Sequence, residues 1–171
     1  MMNRRTAVPY LAAGIAGIFA LPTLVRALTL EGQKGWKPAM DVPVKKTEAE
    51  WKKELPPDRF AVLREAATEP PFTGKLLNEH GKGVFVCAAC GNELYASDTK
   101  FESGTGWPSF WQPVAKDRVI VRRDTSYGMV RDEVLCAHCG SHLGHVFDDG
   151  PAPTHLRYCM NSLAMEFKKK S

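Results

Sequence analysis

Apolar and polar positions follow three different rhythms along this chain. Residues 7–25 are almost continuously apolar, residues 47–67 carry apolar side chains at helical spacing, and from Gly74 onward the apolar runs are short and broken by glycine, proline and aspartate. The first rhythm sits between Arg4-Arg5 and Val25-Arg26-Ala27, the layout of a signal segment over residues 1–27 cleaved after Ala27. The paired arginines suggest twin-arginine export, but the phenylalanine-leucine pair that usually follows them is missing, so ordinary secretion is the competing route. Either route places the mature chain outside the cytoplasm, in a bacterial periplasm. If the segment were retained, it would be about long enough to anchor the protein in the inner membrane.

Residues 28–46, with Gly32, Gly35, Pro38 and Pro43, read as a linker, and one domain is expected over 47–171. Thr47 and Glu50 have the spacing of a capping box, Trp51 and Leu55 share a face behind it, and Pro56 closes that helix. A second helix is predicted from Pro57 or Asp58 to about Ala67, with Phe60, Leu63 and Ala67 on one face, stopped by Pro70-Pro71. Beyond it, strands are predicted at Gly83 to Val86, Arg118 to Arg122, Gly128 to Leu135 and Leu156 to Phe167. The pattern is that of a mainly β domain preceded by small helices. The closing Lys168-Lys169-Lys170 reads as a solvated tail.

Composition changes this picture little: 44% hydrophobic and 25% charged residues exclude a disordered or collagen-like chain. Charge changes it more. The net +4 is carried mostly by Arg4, Arg5 and Arg26, with no acid in residues 1–27, so the domain is nearly neutral and no nucleic-acid partner is expected.

Five cysteines are an odd number, and four of them form a pattern. Cys87-Ala88-Ala89-Cys90-Gly91 and Cys136-Ala137-His138-Cys139-Gly140 are matched Cys-x-x-Cys-Gly knuckles. In each, two-residue spacing lets both sulfurs bind one ion and the glycine permits the tight turn. Together they predict a closed, structural zinc site, favoured over two redox disulfides. His138, inside the second knuckle, is expected at the surface.

Cys159 is left without a partner. Strand alternation puts Arg157, Cys159 and Asn161 on one face, where a guanidinium would favour thiolate over thiol. A buried, inert cysteine is an equal reading of the spacing. His142 and His145 offer either acid–base catalysis or a metal pair. The loop Gly104-Thr105-Gly106-Trp107-Pro108-Ser109-Phe110 offers either a small apolar pocket or a turn around a core tryptophan.

Taken in order, these segments resemble the peptide methionine-R-sulfoxide reductases. The resemblance runs from about Trp51 to Phe167 and includes Thr68-Glu69-Pro70-Pro71-Phe72-Thr73-Gly74, both knuckles, Gly106-Trp107-Pro108-Ser109-Phe110, Asp124-Thr125-Ser126-Tyr127-Gly128-Met129, His142 through Pro151, and Arg157-Tyr158-Cys159-Met160-Asn161-Ser162. It implies two antiparallel β-sheets with short N-terminal helices, and structural zinc on Cys87, Cys90, Cys136 and Cys139, away from the catalytic cysteine. It also implies the residue roles. Cys159 would attack the sulfoxide sulfur and become a sulfenic acid, Trp107 would pack the substrate methyl group, and His142 and His145 would position and protonate the oxygen. Asn161 would hydrogen-bond within the site, and Arg157 would favour the thiolate.

Two departures bear on these implications. Many members carry a second, resolving cysteine where this chain has Thr105, so regeneration is expected from an external thiol, thioredoxin-like or small. An acidic residue often precedes the aspartate of the Asp124 motif, where this chain has Arg122-Arg123, which leaves the orienting carboxylate unassigned. The expected partners are oxidised proteins containing methionine-R-sulfoxide, in a repair role under oxidative stress, and the expected state is a monomer. The alternative class is a non-catalytic zinc module that binds protein or nucleic acid.

Overall fold

A computed structural model describes residues 41–170, so the signal and anchor readings and most of the linker lie outside the described residues. Thr47 and Glu50 form the expected capping box, with Thr47 Oγ1 accepting from the Glu50 amide at 3.3 Å and the Glu50 carboxylate accepting from the Thr47 amide at 2.7 Å. It opens α1 (Glu48–Glu54). Pro57 opens α2 (Pro57–Glu65), at a position where its missing N–H would have had no helical partner anyway. This helix stops short of the expected Ala67, because Ala66 turns left-handed at φ 57°. Trp51 is buried with the Arg64 guanidinium and the Lys46 ammonium over its ring. The end of the expected linker has a folding role after all: Val42 is buried and the Val44 amide donates to the His138 carbonyl at 2.9 Å.

Nine strands follow: β1 (Gly83–Cys87), β2 (Glu93–Ala96), β3 (Lys100–Phe101), β4 (Ser109–Phe110), β5 (Val119–Asp124), β6 (Arg131–Cys136), β7 (His142–Phe147), β8 (Arg157–Met160) and β9 (Met165–Lys169). They form a three-stranded sheet, order β2-β1-β9, and a six-stranded sheet, order β3-β4-β8-β7-β6-β5, with all neighbours antiparallel. The architecture is the mainly β one expected, with short helices at its N-terminal side. Among the described residues, no helix is long and apolar enough to cross a membrane.

Three strand readings change. The single run expected over Leu156 to Phe167 is two strands in different sheets, joined by a turn at Ser162–Ala164. The Glu69 carboxylate accepts the Ser162 amide at 2.6 Å and the Leu163 amide at 3.0 Å, so the chain can leave one ladder with its donors satisfied. The strand expected from Gly128 begins only at Arg131, because Asp124 Oδ1 accepts the Ser126 amide and holds a turn over Ser126–Gly128. Lys168, Lys169 and Lys170 are solvent-exposed as expected, but their backbone is not free: Lys168 and Lys169 pair with Val84 and Gly83 at the end of β9, and the Lys170 amide donates to the Lys82 carbonyl.

The two sheets meet through aromatic side chains. Tyr95 of one stacks on Phe110 of the other at 4.4 Å, Phe85 meets the same ring edge-on at 4.9 Å, and the Tyr95 hydroxyl donates to Met160 Sδ at 3.3 Å. All four are fully buried. Truncating Phe110 to alanine in such a core costs about 3–5 kcal/mol.

Candidate active site and metal centre

Antiparallel register brings residues distant in sequence into one line. Phe101 pairs with Ser109, Ser109 with Cys159, Cys159 with His145, His145 with Glu133 and Glu133 with Arg122. Directly opposed residues share a face, so this row crosses all six strands on one side of the sheet. Gly144 permits it. A Cβ there would meet the Cys159 carbonyl oxygen at 2.1 Å, so only glycine lets β7 lie this close to β8.

His142 and His145 are three apart and would face opposite ways in a regular strand. The β6–β7 register shifts between Val134 and Leu135, so that Leu135 pairs with His142 and Leu143 becomes the extra residue. This bulge returns His142 to the His145 face, with the rings 5.4 Å apart and edge-on. Each ring meets its own carboxylate. His142 Nδ1 lies 2.7 Å from Glu133 Oε1, and His145 Nε2 lies 3.0 Å from Asp124 Oδ2. An ionised carboxylate only accepts, so His142 carries its proton on Nδ1 and His145 on Nε2. The orienting carboxylates left unassigned by sequence are therefore Glu133 and Asp124. Arg122, one of the two arginines that raised the question, donates to Glu133 Oε2 at 2.7 Å.

Burial outweighs the Asp124 hydrogen bond and lowers the His145 pKa, so this imidazole is neutral at pH 7. Burial also acts on Asp124 but loses there: hydrogen bonds from the Ser126 hydroxyl and amide, His145 and Arg131 hold that carboxyl well below the ordinary carboxylate range. His142 Nε2 is buried without a hydrogen-bond partner among the described residues.

Cys159 is half-buried, and burial pushes its thiol above the ordinary cysteine value. A hydrogen bond from Thr105, the charge of Arg157 and a hydrogen bond from Ser109 pull the other way without overcoming it. Arg157 thus acts in the expected direction, favouring the thiolate, and burial outweighs it. The guanidinium is shared, since Arg157 Nε and Nη2 each donate to Asp149 at 2.8 Å while the group lies 4.4 Å above the Phe147 ring. Thr105 Oγ1 sits 3.8 Å from Cys159 Sγ and 2.8 Å from Ser103 Oγ, which in turn accepts from Ser109 Oγ at 2.8 Å.

Trp107 is half-exposed beside this cluster, and its Nε1 donates to the Glu69 carbonyl at 3.1 Å. Asn161 belongs to the same assembly. Its Oδ1 accepts the Glu69 amide at 3.1 Å and its Nδ2 donates to the Leu143 carbonyl at 3.1 Å, so it ties Glu69 to β7. Sequence reasoning missed Glu69, because all its partners are at least 38 residues away. It also missed the roles of Glu133 and Asp124. For Glu133 there was a signal: an acid at a position where strand alternation points into the protein.

The four knuckle cysteines converge. Cys87 and Cys139 Sγ are 3.8 Å apart, Cys90 and Cys136 Sγ 3.6 Å, and all four sulfurs lie within 4.8 Å of one another. A tetrahedral ion with bonds of about 2.3 Å to sulfur needs S–S edges of about 3.8 Å, so the set fits one ion with no open position. The knuckles repeat each other. Gly91 and Gly140, at φ 74° and 72°, each donate an amide at 2.8 Å to the first cysteine's carbonyl. His138 is exposed, as expected. One knuckle is the β1–β2 hairpin loop and the other the β6–β7 loop, so the ion site joins the two sheets and ends two residues before His142.

A family model described as the SelR domain matches residues 55–169. The chain is also similar to curated proteins named peptide methionine sulfoxide reductase MsrB. It is 61% identical to that of Methanosarcina barkeri over 125 residues, 73% of this chain and 88% of that protein. It is 54% identical to that of Leptospira interrogans over 131 residues, 77% of this chain and 100% of that protein. It is 56% identical to that of Bradyrhizobium diazoefficiens over 130 residues, 76% of this chain and 94% of that protein.

Proposed function

Since the chain belongs to the SelR-domain family of peptide methionine-R-sulfoxide reductases, we propose that it reduces methionine-R-sulfoxide in proteins through Cys159. The observation that carries this reading is the row in which Cys159 lies between Ser109 and His145, with Trp107 at its edge. The Cys159 sulfur attacks the sulfoxide sulfur. Its proton passes to His145 Nδ1, the nitrogen left open by the Asp124 hydrogen bond, and from there to the sulfoxide oxygen. The oxygen, now a hydroxyl, moves to Cys159 as its bond to the substrate sulfur and the newly formed sulfur–sulfur bond both break, so that methionine leaves reduced and Cys159 is oxidised to a sulfenic acid. This route suits a thiol that burial keeps protonated. It gives His145 the proton transfer and leaves His142, fixed by Glu133, to accept through Nε2 from the oxygen once that oxygen is protonated. Trp107 forms the wall against the substrate methyl, Asn161 holds that wall through Glu69, and Arg157 balances charge on the sulfur.

Cys87, Cys90, Cys136 and Cys139 would hold zinc, which supplies no chemistry to the reaction and fixes the two hairpin loops. With those thiols committed, an external thiol attacks the sulfenic acid, forming a mixed disulfide and water. A second thiol then releases Cys159 and takes away the disulfide. A thioredoxin-like protein or a small dithiol would serve. The proposed setting is the periplasm, where the enzyme acts as a monomer repairing proteins after oxidative stress.

The test is reduction of dabsyl-methionine sulfoxide, each epimer separately, by the wild-type protein and Cys159→Ser. The expected result is turnover of the R epimer only and its loss in the variant, with metal content unchanged. Wild-type rates in the variant would overturn the reading.

A further inference from the structure

A cavity of about 180 Å³ opens beside Trp107, walled by Phe72, Leu77, Phe101, Glu102, Ser103 and Gly106, and Cys159 is not part of its lining. We propose that it is a subsite for an apolar side chain of the substrate polypeptide, flanking the methionine sulfoxide, with Phe72 as its outer wall. The proposal rests on the reductase reading and deepens it.

Continuity with the reacting sulfur is the first argument. Phe101 lies on the same row and face as Cys159, two strands away, or about 10 Å at ordinary strand spacing. Two or three residues of extended peptide cover that distance. The wall between the two places is a single loop, which carries Thr105 toward Cys159 and Trp107 into the cavity lining.

Phe72 is the second. Its side chain is 66% exposed, an unfavourable placement for a phenylalanine, and its backbone is left-handed at φ 64°. It is nevertheless firmly held. The Phe72 amide donates to the Gly106 carbonyl at 2.8 Å, and a Cβ on Gly106 would meet Pro71 Cβ at 2.8 Å and Phe72 N at 2.9 Å. The chain bears a strained backbone to present this ring at the cavity rim, and the ring does no work in the core.

The cavity's one lysine does not make it a charged site. The Lys100 side chain is 6% exposed, and its ammonium donates to the Leu77 carbonyl at 2.7 Å and lies 3.5 Å from Glu102. Glu102 lines the cavity as well, so the pair leaves no net charge there, and the walls of Phe72, Leu77, Phe101 and Trp107 suit an apolar side chain better than an acidic or basic one.

The experiment compares kcat/KM for N-acetyl-methionine-R-sulfoxide amide and for two sets of peptides, carrying leucine or serine two and three positions from the sulfoxide. The enzymes are wild type, Phe72→Gly and Phe72→Asn. Both substitutions tolerate the left-handed backbone, so neither strains the turn. The wild type should prefer a leucine peptide over its serine counterpart by about tenfold, the size expected for burying one aliphatic side chain. Both variants should lose most of that preference, while the amide changes less than about threefold. Equal losses on all substrates, or a wild type indifferent to leucine, would overturn the subsite while leaving the reductase intact. Failure of the wild type on the amide and all peptides would overturn both.

Discussion

Thr105 Oγ1 stands 3.8 Å from Cys159 Sγ. A sulfur carried at position 105 would begin within a side-chain rotation of disulfide distance. Thr105→Cys should therefore form an intramolecular disulfide after one turnover with the metal retained. The wild type should instead stop at a sulfenic acid that dimedone traps. Thiol counting and intact mass after a single turnover separate the two, and a disulfide in the wild-type protein would contradict the external-thiol route.

The raised thiol pKa of Cys159 has a consequence for alkylation. Iodoacetamide reacts with thiolate, and a folded pKa above the free-cysteine value means a smaller thiolate fraction than free cysteine at the same pH. The alkylation rate of metal-loaded protein should thus be lower than that of a free thiol at pH 8 and keep rising beyond pH 9. Arg157→Gln removes an influence that lowers the pKa, so its midpoint should move further upward. A wild-type midpoint below 8 would refute this.

Glu69 is buried, and its carboxylate takes two backbone amides while its carbonyl takes the Trp107 indole. Glu69→Gln replaces a charge-assisted acceptor with a group that turns a donor toward an amide N–H. A loss of about 1.5–3 kcal/mol is expected in denaturant unfolding. KM for methionine-R-sulfoxide should rise more than kcat falls, because the loosened group is a pocket wall. A change in stability alone would assign Glu69 a purely structural role.

Among these features, the local ones were legible in the sequence. Thr47 and Glu50 are three residues apart and bond each other, and each knuckle closes within five residues, so spacing sufficed. The strands β3 and β4 are two residues long and carry no periodic signal, while β7 hid behind the bulge that puts His142 and His145 on one face. Partners such as Glu69 with Ser162, or Asp124 with His145, are separated by 93 and 21 residues and depend on register alone. Family resemblance supplied the site residues that spacing left open, but not the carboxylates behind the histidines.

Metal removal gives a further test. Cys90→Ser opens the sulfur set at its half-buried corner. Bound zinc should fall below half an equivalent, and the melting temperature should drop by roughly 10 °C or more, corresponding to at least about 3 kcal/mol for a chain of this size. Because the second knuckle ends two residues before His142, activity should be lost at temperatures where the variant is still folded. Retention of full activity without metal would sever that link.

The six-strand row also determines where the gene can tolerate changes in length. Phe101, Ser109, Cys159, His145, Glu133 and Arg122 are aligned by ladder pairing and not by neighbourhood in the chain. A residue inserted between strands, as in the segment from Asp148 to Leu156, leaves every pairing in place. The same insertion within β7 or β8 advances the alternation by one and turns part of the row to the opposite face. Length variation among sequences sharing this chemistry should accordingly collect in the connections and be absent from the strands, a pattern that alignment gaps alone would reveal.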